Sequence, residues 1–132
     1  MYRMKEVSLK TGIPYETLKF YCNEGLIPNV RRDEHNYRIF DDTDIAWISS
    51  LSCLKKCGMS IQEMKEYIDL CLLGPSSIAE RKNILARKRN DLEEKRKEVQ
   101  ESMNFIDYKQ QLYDDILAGR IEYHSNLRQF RK

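Results

Sequence analysis

Hydrophobic and polar positions divide the chain near Gly74-Pro75. Before that point, short apolar runs of helical spacing alternate with turn residues. After it, residues 76–118 contain no Gly or Pro and predict one long helix. The first short helix covers about Lys5 to Thr11 and is stopped by Gly12, a residue that accepts the left-handed backbone of a helix end. Pro14 opens a second helix, to about Cys22, because a proline at the first helical position gives up no needed N–H. Two short helices joined by a Gly-containing turn predict a helix-turn-helix, with Val7 and Leu18 as core contacts between them. Gly25 ends the second helix and Leu26-Ile27-Pro28 leads away extended. In Val30–Phe40, apolar ends flank a polar centre with Asp and Asn, which predicts a small hairpin. Its Arg31, Arg32 and Arg38 make it a wing. Asp41 or Asp42 caps a third helix, to about Lys56, with Asp44 supporting its positive end. Gly58 breaks that helix, and Ser60 caps a fourth that ends near Leu73.

The long helix carries a narrow apolar seam. Ile78, Leu85, Leu92, Val99, Ile106 and Tyr113 recur every seven residues. Met103 and Leu117 partly fill the companion stripe, while Lys82, Arg89, Arg96 and Gln110 take its other places. A strict heptad keeps one edge turned toward a partner helix. A second copy is the simplest partner, so Ile78, Leu85, Leu92, Val99, Met103, Ile106 and Tyr113 are assigned to homodimerisation. The polar companion positions favour a short or antiparallel pairing, part of each helix resting on the partner's first domain. A helix folding back on itself, or docking on another protein, is the competing reading. The expected architecture is mainly α: a winged helix-turn-helix domain over 1–73, a dimerisation helix over 76–118 forming an antiparallel coiled coil, and a polar C-terminal tail over 119–132. There is no internal repeat and no low-complexity tract.

Composition narrows the function classes. The 132 residues are 33% charged and 41% hydrophobic, with a net charge of +2. That length supports a modest core and no large buried pocket. The weak net charge leaves room for a local basic face but does not demand one. No apolar run reaches membrane-spanning length, and Met1–Glu6 has no apolar stretch behind it to act as a secretory signal. The cytoplasm is the expected compartment, no membrane is an expected partner, and Cys22, Cys53, Cys57 and Cys71 should be reduced thiols. Their spacings match neither a zinc finger nor a Cys-x-x-Cys pair. With no carboxylate pair, Ser-His-Asp set or Gly-rich phosphate loop in a plausible setting, an enzyme is not expected. The two histidines, His35 and His124, both fall in irregular segments.

Three motifs carry a family resemblance. Thr17-Leu18-Lys19-Phe20-Tyr21-Cys22, then Gly25-Leu26-Ile27-Pro28, resembles the Thr-Leu-Arg-Tyr-Tyr-Glu and Gly-Leu-Ile-Pro of the MerR family of regulators. Asn36-Tyr37-Arg38-Ile39-Phe40 resembles the family's Gly-Tyr-Arg-x-Tyr wing segment. Cys57-Gly58-Met59-Ser60-Ile61-Gln62-Glu63-Met64 resembles its Leu-Gly-Phe-Ser-Leu-x-Glu-Ile. Lys19, Phe20, Cys22 and Asn36 depart from the pattern. Asn tolerates the left-handed backbone almost as Gly does, so the wing turn should survive. Lys19 keeps the charge of Arg without its bidentate fork. The resemblance implies dimers, joined by long helices paired antiparallel, that bind double-stranded promoter DNA. It also implies activation by distorting the duplex between the two polymerase recognition elements, so that RNA polymerase holoenzyme is engaged only indirectly. No cofactor is implied. The family's metal sensors place cysteines around the end of the long helix. Here no cysteine lies beyond Cys71, so no metal site is expected. The short segment after the long helix leaves no room for the separate drug-binding domain of some members.

A recognition helix enters the major groove with its N-terminal half toward base edges, which nominates Tyr15, Glu16, Thr17 and Lys19. Tyr21 is expected to reach a phosphate through its hydroxyl. In the wing, Arg31, Arg32, Tyr37 and Arg38 are expected at phosphates or the minor-groove edge. For each charge the plainer reading is a solvated surface group. Phe20 reads as core and His35 as a wing-tip surface residue.

Cys53 is the candidate effector-sensing thiol. At about 100° per residue, Trp47, Ile48, Leu51 and Leu54 form the third helix's apolar stripe, and Cys53 lies roughly 150° from its centre. Lys55, Lys56 and the positive start of the fourth helix are placed to favour its thiolate. Cys57, four residues on, is its neighbour and a second candidate. The segments Asp44–Ile48, Cys53–Gly58 and Ala79–Leu85 resemble a thiol-based branch of the family that answers to aldehydes and related electrophiles. Against this stands the structural role of a small buried hydrophobe. The rival to a regulator is a helical protein-interaction or architectural module without inducer sensing.

Overall fold

The computed structural model describes residues 1–127; the remainder of the expected polar tail, residues 128–132, lies outside the described residues. In chain order the elements are α1 (Met4–Thr11), α2 (Tyr15–Asn23), β1 (Arg31–Arg32), β2 (Arg38–Ile39), α3 (Asp42–Lys56), α4 (Ile61–Leu72), a 3₁₀ turn (Gly74–Ser77) and α5 (Ile78–Leu117). The fold is mainly helical, with a two-stranded wing and a long C-terminal helix, as the sequence predicts. The chain divides into two compact units, Met1–Asn90 and Asp91–Lys132, so the first turns of α5 belong with the first unit.

Local signals explain the element ends. Gly12, at φ 73°, closes α1 by donating its N–H to Ser8 O at 2.9 Å. Pro14 stands one residue earlier than expected: its ψ of 143° is extended, so it caps α2 rather than starting it. The wing is an antiparallel pair with Arg31 opposite Ile39 and Arg32 opposite Arg38. Asn36 takes φ 66° at its turn, the conformation for which the family pattern uses Gly. Asp41, of the two candidates, caps α3: it accepts the Asp44 amide at 2.8 Å, and Asp44 accepts the Asp41 amide at 3.0 Å. Ser60 and Glu63 form the same reciprocal box at α4, both bonds 3.1 Å long.

One core holds the first unit together. Val7 and Leu18 meet there as expected, joined by Leu26, Phe40, Ile48, Leu51 and Met64, all fully buried. Each such side chain contributes about 1.5–3 kcal/mol relative to exposure. The apolar stripe of α3 is buried along Ile48, Leu51 and Leu54, and the half-buried Trp47 donates its indole N–H to Leu26 O at 2.8 Å. The chain start is pinned beside the wing: Tyr2 and Phe40 exchange backbone hydrogen bonds at 2.7 and 2.9 Å.

In the second unit, α5 ends at a left-handed Gly119 (φ 74°). Arg120 donates its backbone N–H to Asp115 O at 2.9 Å, and its guanidinium reaches the Asp115 carboxylate at 2.8 Å. No residue of α5 is buried anywhere along its length. Among the described residues, no helix is long and apolar enough to cross a membrane.

Candidate nucleic-acid interface

The N-terminal turn of α2 presents Tyr15, Glu16 and Lys19 to solvent, with Thr17 half-buried. This follows from the helix period: Leu18 and Tyr21 point inward, and the residues between them are left outside. Tyr21, expected to reach a phosphate through its hydroxyl, has its ring in the core. Only 3% of it is exposed, and burial pushes its hydroxyl pKa up, so its ring is part of the core. Any phosphate contact is left to the hydroxyl alone. Phe20 corrects a further expectation. It is 44% exposed, because about 100° per residue carries it off the Leu18–Tyr21 face. It belongs to the exposed surface of α2, not to the core.

The wing and α2 are physically joined. The Arg38 guanidinium donates to Asn23 Oδ1 at 2.7 Å, linking β2 to the last residue of α2. Tyr15, Tyr37 and Arg38 line one shallow cavity of about 170 Å³ together with Arg3, Met4 and Lys5. Arg3 also pairs with Asp33 and lies 5.7 Å from the Tyr37 ring centroid. Arg31 and Arg32 are not in that lining. Arg31 is drawn to Asp41 at 3.4 Å, and Arg32 donates to Asn36 O at 2.8 Å, closing the wing turn. His35 is exposed at the wing tip as expected. The cluster mixes cations with aromatic faces, a composition suited to phosphate oxygens and sugar edges.

Arg3 and Lys5 are additions that the sequence alone does not nominate. They lie at and just before the start of α1, and the Tyr2–Phe40 bridge and the Arg3–Asp33 pair bring this end of the chain to the wing. The alternation of basic and apolar residues in Tyr2-Arg3-Met4-Lys5 is the signal that could have marked them.

The four thiols are free. Cys53 is exposed on α3, off the buried stripe, where the helical projection puts it. Cys57 is half-buried at the end of the same helix. Cys22 and Cys71 are half-buried, and burial raises the Cys22 pKa against the pull of Arg38 and Arg32. Among the described residues, no three His, Cys, Asp or Glu side chains gather as a metal site.

Residues 2–71 match the family described as MerR HTH family regulatory protein, and residues 46–107 match MerR, DNA binding. The chain belongs to the MerR family. An HTH-type transcriptional regulator of Haemophilus influenzae is 35% identical over 117 residues, spanning 89% of this chain and 87% of the relative. The crystal structure of HiNmlR, a MerR family regulator lacking the sensor domain and bound to promoter DNA, is similar at a TM-score of 0.75 and 34% identity. That match covers 89% of this chain and 93% of that one. A MerR family regulator from Listeria monocytogenes is similar at a TM-score of 0.80 and 29% identity, over 91% of each chain. This MerR family member is a DNA-binding transcriptional regulator.

Proposed function

We propose that this MerR family protein is a homodimer that switches a promoter by distorting its duplex, and that the Cys53 thiol, with Cys57 beside it, senses electrophiles such as aldehydes. Two copies pair through Ile78, Leu85, Leu92, Val99, Met103, Ile106 and Tyr113 and place two reading heads on one face of double-stranded DNA. Tyr15, Glu16, Thr17 and Lys19 read the major groove, while Arg31, Arg32, Tyr37 and Arg38 hold the backbone, joined by Arg3 and Lys5. RNA polymerase holoenzyme responds to the altered duplex rather than to a surface of this protein.

The observation that carries the pairing is the exposed heptad seam: a forty-residue helix with no buried residue and one strict apolar line leaves that line to a partner. The promoter-bound state of the HiNmlR relative supports the DNA half of the reading. The exposure of Cys53, on a helix whose apolar stripe is buried at Ile48, Leu51 and Leu54, supports the thiol half. Its sulfur adds to an aldehyde carbonyl carbon, and the carbonyl oxygen takes up the proton that the thiol gives up, which yields a hemithioacetal. The added group changes the size and polarity of a surface position between the DNA-reading part and α4.

A footprint on the DNA upstream of the chain's own coding region, with and without aldehyde, tests the whole reading. Two half-sites protected together, with a spacer that becomes reactive on aldehyde treatment in wild type but not in Cys53→Ser, are expected. An undiminished aldehyde response in Cys53→Ser removes the thiol. Protection no different from random duplex removes the regulator and leaves an interaction module.

A further inference from the structure

The first turns of α5 are tied back at two separated points, through the 3₁₀ turn to the end of α4 and directly to its start. The Arg81 guanidinium donates to Gly74 O at 2.6 Å and to Ser77 Oγ at 3.0 Å. Ser77 is itself buried, and its hydroxyl donates back to Leu70 O, the last full turn of α4. Two turns further along α5, Lys88 Nζ pairs with Glu63 Oε2 at 2.6 Å, at the opposite end of α4. Between them Ile84 packs against the core. The spacing 81, 84, 88 puts all three side chains on one face of α5. Asn90, where the first unit ends, follows shortly after the last of them. Lys88 also holds the Glu63 carboxyl below its ordinary pKa.

What these contacts bridge is the 3₁₀ turn between α4 and α5. Gly74 stands at φ 81° just after α4, and Pro75 follows it at the start of the 3₁₀ turn, so the chain changes helix here with no α-helical hydrogen bonds running from one helix into the other. A planar guanidinium with two fixed donors is suited to lock such a joint in one geometry.

We propose that Arg81 and Lys88 are positioning residues for promoter distortion: they lock the start of α5 to α4 and so fix the angle at which each reading head meets the duplex. The inference rests on the pairing and distortion proposed above. A dimer imposes a deformation on DNA only if its two heads resist relaxing to the undistorted spacing. With the joint loose, each head settles on its half-site without straining the spacer. Binding and distortion, coupled in the wild type, then come apart.

The test uses the full-length chain and its footprinted operator, with 2-aminopurine at the centre of the spacer. Arg81→Ala, Lys88→Ala and Lys88→Arg are compared with wild type for mass, operator affinity and 2-aminopurine fluorescence. Arg81→Ala and Lys88→Ala should stay dimeric and bind within about threefold of wild type, while the distortion signal falls by about threefold or more. Lys88→Arg, which keeps the ion pair, should retain the signal. Wild-type distortion in both alanine variants overturns the inference, as does a loss of affinity that parallels the loss of distortion. If Arg81→Ala fails to fold, the contrast between Lys88→Ala and Lys88→Arg decides. A wild-type dimer that binds without distorting the duplex defeats the parent reading and takes this one with it.

Discussion

The Arg38 guanidinium sits 2.7 Å from the side-chain oxygen of Asn23, so the second strand of the wing is tied to the end of α2. On the proposed reading, a phosphate held by Arg38 would sit at a fixed offset from bases read by α2. Arg38→Ala should weaken binding to operator and random duplex alike, because a backbone contact carries no sequence information. The log–log salt dependence should become shallower by roughly 0.9, the share of a single phosphate that the variant no longer neutralises. Anisotropy titrations over a salt series measure both. An unaltered slope would exclude Arg38 from the residues that hold phosphates.

Asp33 organises the wing from within. Its Oδ1 accepts the amides of Tyr37 and His35, each at 2.9 Å, and its other oxygen takes Arg3. The Tyr37 amide is the main reason its carboxyl lies below the ordinary range, with the Arg3 side chain and the His35 amide acting the same way. A folded-state pKa below the unfolded value means a stabilisation present in full above the unfolded value, near 3.9 for an ordinary aspartate. It is lost as pH falls through the lowered value. Amide exchange at Tyr37 should stay slow through mildly acidic pH and speed up only below the usual carboxylate range. In Asp33→Ala it should be fast at neutral pH. Equal protection in the variant would show that the wing is held by other means.

The turn opposite depends on one backbone angle. Asn36 is exposed and has φ 66°, so its substitution tests conformation with little change in packing. Asn36→Gly should leave stability nearly unchanged. Asn36→Val should cost about 1–2 kcal/mol, the penalty a β-carbon meets in the left-handed region. Urea denaturation of the two variants compares them directly. Equal midpoints would mean that the turn shifts to accommodate valine.

Much of this fold was legible because its punctuation is local. Gly12, Gly25, Asp41, Ser60 and Gly74 each act within a turn of themselves, so their effects can be read from neighbours in sequence. The Val7–Leu18 contact and the exposed position of Cys53 also follow from the helical period alone. What escaped is long-range or depends on the exact face. Arg3 and Lys5 reach the wing through a two-residue bridge to Phe40, some forty positions away, which no periodicity announces. Phe20 and Tyr21 are adjacent aromatics, and only the helix's phase against the core decides which is buried. The Arg81 lock was hidden for the same reason: its partners are a backbone carbonyl and a serine, groups without a sequence signature.

Asp44 offers a prediction of opposite sign to Asp33. It is 2% exposed, and burial raises its pKa, the nearby Asp41 charge adding to the effect while the Asp41 amide opposes it. A folded-state pKa above the unfolded one means that stability is present below the unfolded value and declines as pH rises through the folded value. Asp44→Asn keeps an oxygen for the Asp41 amide but has no charge to desolvate. Its melting temperature relative to wild type should rise between acidic and mildly acidic pH and then level. A difference that stays flat with pH would show that the Asp44 carboxylate meets no net burial cost. Asp44→Ala, which also leaves the Asp41 amide unpaired, should be less stable than Asp44→Asn throughout.

The seam of α5 gives the remaining test. Leu92 is 38% exposed and Val99 58%, both on the heptad line and both in the second unit, clear of the core that folds the first. The double substitution Leu92→Glu and Val99→Glu puts two charges where a paired helix would desolvate them, at a cost of several kcal/mol per interface. If the proposed dimer forms, the expected result is a protomer mass by sedimentation velocity at concentrations where wild type sediments with twice that mass, with the melting of the first unit unchanged. Operator affinity should fall steeply, since two half-sites are no longer bound by one particle and the effective concentration of the second head is gone. The affinity of a single half-site should be untouched, because no residue that faces the duplex has been altered. A particle that keeps wild-type mass with both charges in place would mean that the helices meet along another line, and the heptad would then need a different partner.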